Sequence, residues 1–111
     1  MRHEENLLIE DHAADGMRSG EGATVELNDG TLMLVYSDFC GGGDFSAARL
    51  LIRRSVDGAR SWSEPELFFN PEPGWINVMS VSMLRLHDGR LAAVFAGQIE
   101  RDVCVSSTIV A

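Results

Sequence analysis

A chain of 111 residues with 17 acidic and 9 basic side chains, a formal charge of −8, has the length of one small domain and repels polyanions, so neither nucleic acid nor an anionic membrane is an expected partner. No run of 18 apolar residues offers a membrane span, and Leu7-Leu8-Ile9 behind a polar start is too short for a secretion-signal core, which favours a cytoplasmic location. Cys40 and Cys104 have neither metal nor redox spacing and are expected as free or half-buried thiols.

In chain order, the apolar residues fall in short β-type runs separated by Gly, Asp, Asn and Pro. Residues 23–27 lead into Asn28-Asp29-Gly30 and residues 31–37 lead out, a predicted hairpin with a type I′-compatible turn. Gly41-Gly42-Gly43 follows, without the Gly-Lys-Ser/Thr ending of a phosphate-binding loop, so no nucleotide cofactor is implied. Residues 47–55 and 64–69 read as two further strands joined by a compact turn. Residues 81–86 and 90–96 flank His87-Asp88-Gly89 in a second hairpin, and Thr108-Ile109-Val110-Ala111 is assigned to a third strand of this second unit.

The two hairpins repeat one another. Leu27, Asp29, Gly30, Leu32 and Val35 return as Leu86, Asp88, Gly89, Leu91 and Val94, each pair 59 residues apart. Four antiparallel strands per repeat make a β-propeller blade. The expected architecture is all-β, about one and a half blades in one domain over residues 1–111, with a first blade at about 18–70 and a second beginning at about 77–104. Such a piece does not close a ring, so the chain is expected to be a fragment whose nearest partners are the missing blades of the same propeller. A self-contained β-sandwich of roughly six or seven strands is the alternative.

The turn between the third and fourth strands is Ser55-Val56-Asp57-Gly58-Ala59-Arg60-Ser61-Trp62. An Asp side chain can accept bonds from turn N–H groups, Gly relieves the backbone, and Trp can pack the turn onto the sheet. This stretch resembles the Asp-box, S-x-D-G-G-x-T-W, of the sialidases (neuraminidases) and of other propellers with that repeat; Ala59 replaces the usual glycine and Ser61 the threonine. Ser55, Asp57, Gly58 and Trp62 carry the match. The resemblance implies a six-bladed propeller, and it speaks to fold more than to reaction, because the box is a fastening.

Strand alternation sorts the connections onto two rims. Asn28-Asp29-Gly30 and the 55–62 turn share one, while Arg18, Glu21, Asp38, Asp44 and residues 71–77 gather on the other, where a site is expected. Resemblance to the sialidases extends to that second rim. Asp44 stands 11 residues before Ser55 and looks like the general acid/base aspartate of the family. Arg18, ahead of Glu21-Gly22-Ala23-Thr24-Val25, looks like the first of the arginines that grip the sialic-acid carboxylate, with Glu21 beside it in substrate binding. Arg18-Ser19-Gly20 departs from the family's Arg-Ile-Pro. In the family the nucleophilic tyrosine, its glutamate and the other arginines come from later blades, so Tyr36, the single tyrosine, reads as a packing residue. His3, His12 and His87 have no metal-ligand spacing, and neither metal nor other cofactor is implied.

The resemblance implies a glycoside hydrolase of the exo-α-sialidase type, releasing terminal sialic acid or a related acidic sugar, with this chain incomplete and inactive alone. The alternative is a noncatalytic Asp-box propeller whose rim binds a glycan or a protein. A third possibility is a product with no function of its own.

Overall fold

The computed structural model describes residue 9 and residues 17–43, 46–100 and 103–110. Seven strands follow in order: β1 (Arg18–Glu26), β2 (Leu32–Phe39), β3 (Ala48–Ser55), β4 (Glu66–Phe69), β5 (Asn77–Arg85), β6 (Leu91–Glu100) and β7 (Val103–Val110). They form two antiparallel meanders, one of order β1-β2-β3-β4 and one of order β5-β6-β7. No helix occurs among the described residues, so the chain is all-β.

The two sheets pack face to face. Val35, Leu50 and Ile52 of the first meet Val78, Val81 and Phe95 of the second, with Ala23, Met33, Phe68, Phe69, Trp75 and Met83 around them. Phe69 stacks obliquely between Phe95 (4.6 Å between centroids) and Trp75 (6.1 Å), which joins the end of β4 to the next sheet. β2 is buried on both faces from Val35 to Phe39, polar Ser37 and Asp38 included, whereas Leu32, Met33 and Leu34 before them are half-buried; its burial does not alternate.

The repeat seen in five identities extends to backbone detail. Leu27 N donates to Thr31 O (2.8 Å) and Gly30 N to Leu27 O (3.0 Å); Leu86 N donates to Arg90 O (2.7 Å) and Gly89 N to Leu86 O (3.0 Å). Asp29 caps the Thr31 N–H at 2.9 Å, and Asp88 caps Arg90 N–H at 3.1 Å. Both glycines sit at φ 88°. Of each Asx-Asp-Gly or His-Asp-Gly loop only the glycine has positive φ, so these are three-residue hairpins closed by a left-handed glycine, and the expected type I′ turn is corrected. The first strand of each sheet also carries a bulge, between Ser19 and Gly22 in β1 and, one position later in the repeat, between Met79 and Ser82 in β5.

Several strand bounds differ from the sequence reading. β1 begins at Arg18, because Arg18 and Ser19 pair with Phe39 and Asp38 beyond a bulge at Gly20 and Glu21, a stretch of poor strand propensity. β4 begins only at Glu66: Ser63 instead closes onto Arg54, and Pro65 has no N–H to donate. β7 starts at Val103 and takes in the expected Thr108-Ile109-Val110.

Candidate functional site

Register places the two rims. Arg18 opens β1 opposite Phe39 at the end of β2, which faces Ala48 at the start of β3. At the other end Glu26, Leu32 and Ser55 stand in line. The rise of a strand separates the rims by about 20 Å.

On the first rim the Arg18 guanidinium lies over the Phe39 ring, 4.0 Å from its centroid. Its Nε donates to Gly41 O (3.4 Å) and its Nη2 to Gly43 O (3.1 Å). This is a cation held against an aromatic face and locked by the carbonyls of a glycine-rich connection. That connection is itself tied: Cys40 N donates to Ala47 O (2.8 Å), Ser46 N to Gly43 O (3.1 Å), and Gly43 N to Ser46 Oγ (3.2 Å). Gly41 has φ 140°, and a Cβ there would meet Ser46 Oγ at 2.8 Å, so glycine is required. From the second sheet, Asn77 Nδ2 donates to Ser46 O at 3.0 Å.

Between β1 and β5 lies a cleft of about 120 Å³ lined by Arg18, Gly20, Glu21, Phe39, Met79 and Ser80. Glu21 is exposed in the β1 bulge, and Ser80, 59 positions later, sits in the β5 bulge with φ 58°. A non-glycine residue in that region is strained and marks a locally imposed backbone. Beside the cleft is a larger, mostly apolar recess of about 360 Å³ whose lining includes Met17, Asp38, Cys40, Arg49, Pro71 and Ile76. Asp38, 5% exposed, accepts a bond from Arg49 Nε at 3.3 Å.

On the opposite rim the 55–62 turn is built around two side chains. Ser55, buried, donates its hydroxyl to Asp57 Oδ1 (2.9 Å) and accepts from Ala59 N (3.0 Å). Asp57 Oδ1 accepts from Arg60 N (3.1 Å) and Ser61 N (2.9 Å), and Oδ2 from the Ser61 hydroxyl. These donors, the Ser61 hydroxyl foremost, lower the Asp57 pKa to about 2. Gly58 and Ala59 both lie at φ 73°. Trp62 is half-buried outside the inter-sheet cluster, and its Nε1 has no hydrogen-bond partner among the described residues.

No protein-family model matches the chain, and no curated protein does. Among solved structures it is similar to the Hadza microbial sialidase Hz136, with a TM-score of 0.68 over 86% of this chain and 21% identity. The fold is sialidase-like. The chain spans 22% of the length of that sialidase, and at such identity the likeness is one of fold.

In this sialidase-like frame, Arg18 and Glu21 share one cleft, whereas Ser55, Asp57, Gly58 and Trp62 lie together in the turn at the far rim, with Ser55 and Asp57 as its hydrogen-bonding centre. Asp44 lies outside the described residues, as do His3, His12 and the Cys104 side chain. Cys40 is a free, exposed thiol. Asp38 is on the expected rim, buried in an ion pair. Tyr36 is buried in β2, its hydroxyl accepting from Arg53 Nε at 3.1 Å, a packing role. Sequence reasoning missed Phe39; it placed Asn77 on this rim within residues 71–77, and assigned no contact to Asn77 or Ser80. The 59-residue offset, carried from the hairpins to the strand starts, places Asn77 where the first repeat has Arg18.

Proposed function

We propose that this chain supplies part of a six-bladed, Asp-box-bearing propeller with exo-α-sialidase-type glycoside hydrolase activity on terminal sialic acid or a related acidic sugar. The observation that carries the reading is the Arg18 guanidinium, fixed on Phe39 and two carbonyls at the rim of a sialidase-like fold. A guanidinium set in one orientation suits the planar carboxylate of an acidic sugar. Asp44, directly after Gly43 in sequence, takes the acid/base role in this reading, protonating the leaving glycosidic oxygen. Sialidases use a tyrosine nucleophile in place of a second carboxylate. Tyr36 is buried and engaged with Arg53, so the nucleophile belongs to the remaining blades, which are the partners of this part.

The buried state of Tyr36, the single tyrosine, also favours a second reading: a noncatalytic propeller that binds a glycan or a protein. One experiment separates them. A fluorogenic sialoside is offered to the 111-residue chain and to the longest propeller product of its gene. The chain alone is expected to show no turnover, and the longer product turnover that Asp44→Ala abolishes. Glycan binding without turnover in the longer product would establish the second reading instead.

A further inference from the structure

Arg18 and Asn77 open the first strands of the two sheets, β1 and β5, one 59-residue repeat apart. Both reach the same connection. Arg18 bonds Gly41 O and Gly43 O from β1, and Asn77, fully buried, bonds Ser46 O from β5. The connection they grip is where the two repeats part: residues 40–47 join β2 to β3, while positions 101–102 join β6 to β7. We infer that Arg18 and Asn77 are positioning residues that hold this enlarged loop from two sides of the sheet junction, and so set the geometry of the recess that its ends, Cys40 and Ala47, help to line.

The physical case rests on which groups need the contact. A loop of three successive glycines has large backbone freedom to lose. Among the described residues its internal bonds are those of Cys40 with Ala47 and of Gly43 with Ser46. The carbonyls of Gly41, Gly43 and Ser46 are then taken by one guanidinium and one amide, each anchored elsewhere: Arg18 on Phe39, Asn77 in a fully buried position opposite Gln98. A planar fork pins two carbonyls with fixed donor geometry, whereas an ammonium on a flexible stem has rotatable donors and holds them less rigidly. The inference deepens the glycosidase reading and takes its meaning from it, since Asp44 belongs to this loop in sequence; the contacts themselves stand apart from any reaction.

The test is segment-resolved hydrogen exchange on the whole 111-residue chain. Arg18→Lys keeps the charge and removes the fork. Exchange at residues 40–43 and 46 is expected to rise about tenfold, the scale of one net hydrogen bond, with β2 and β3 at wild-type rates. Asn77→Asp gives a readout that lost packing would not move. The introduced carboxylate cannot donate to Ser46 O, but its protonated form can. Against wild type at the same pH, loop protection should be lost at neutral pH and return on acidification. Unchanged loop exchange in both variants, a rise spread evenly over every strand, or a loss in Asn77→Asp indifferent to pH would overturn the inference. If Asn77→Asp does not fold, confinement of the Arg18→Lys effect to the loop decides. No turnover is measured, so failure here and failure of the glycosidase reading are told apart.

Discussion

Arg85 donates through Nη2 to the main-chain oxygen of Glu26 at 2.7 Å, across 59 residues of sequence. That separation is the repeat length, and the two residues are the last of β5 and of β1. The bond therefore joins equivalent points of successive repeats, at the rim opposite the Arg18 cleft. Nη1 of the same guanidinium bonds Gly89 O at 3.0 Å, so the side chain is held by its own hairpin while it reaches the neighbouring sheet. Arg18 and Asn77 bond the same loop at one end of the sheet junction, and Arg85 and Glu26 meet at the other.

Arg85→Met keeps the apolar stem and removes both bonds. The site is exposed, so water replaces much of what is lost, and a cost of about 0.5–1.5 kcal/mol is expected in urea unfolding. An unchanged midpoint would show that the junction is held by the Phe69, Phe95 and Trp75 cluster alone.

The hairpins and the repeat were legible in sequence because Asp-Gly between apolar runs has a single local meaning: Asp29 and Asp88 cap their turns, and Gly30 and Gly89 take positive φ. The start of β1 was not legible. Gly20, Glu21 and Gly22 have no strand character of their own, and the strand continues past them only because Arg18 and Ser19 pair with β2 beyond the bulge. The candidate site was legible in part. Arg18 and the glycine-rich loop stood out by residue type, and sorting connections by rim brought them together. Asn77 did not stand out, because a buried amide signals itself only through its partner, and that partner is 31 residues away. The left-handed Ser80 left no signal either, since its backbone is imposed by the bulge.

Ala59 stands at φ 73° in the 55–62 turn, a region that costs an L-residue with a Cβ about 1–2 kcal/mol. Glycine removes that strain but adds roughly 0.4–1 kcal/mol of unfolded-state entropy. The first term is larger, so Ala59→Gly should raise stability by about 0.5–1 kcal/mol, against the usual direction for Ala→Gly. Chemical denaturation gives the sign directly; a loss would mean that the turn gains something from the Ala59 methyl.

Asp57 makes the turn pH-dependent. Its carboxyl is held near a pKa of about 2, below the ordinary 3.8, first by the Ser61 hydroxyl, then by the Ser61 N–H and the Ser55 hydroxyl. A lowered folded-state pKa contributes stability that is present above the unfolded value and lost as pH falls through the folded one. The melting temperature should therefore drop between about pH 4 and pH 2. Asp57→Asn should be less stable at neutral pH and less steep over that interval. Asp29 is also lowered, chiefly by the Thr31 N–H, so a residual slope should persist in the variant. Parallel curves for both proteins would exclude Asp57 as the source.

Gly97 is fixed by Trp75. A Cβ at Gly97 would approach Trp75 Cε3 to 2.5 Å, closer than atoms can pack. The ring has little room to withdraw: Trp75 N is bonded to Glu72 O at 3.0 Å, and the indole lies beside Phe69. Gly97→Ala should accordingly cost about 1–3 kcal/mol, the range for overpacking a tight contact. Trp75→Leu removes the obstacle, at its own cost in lost aromatic packing. In that background Gly97→Ala should cost much less, a coupling within about 0.5–3 kcal/mol for touching residues. Equal costs in the two backgrounds would mean that Gly97 is required by the β6 backbone itself and that Trp75 merely rests on it.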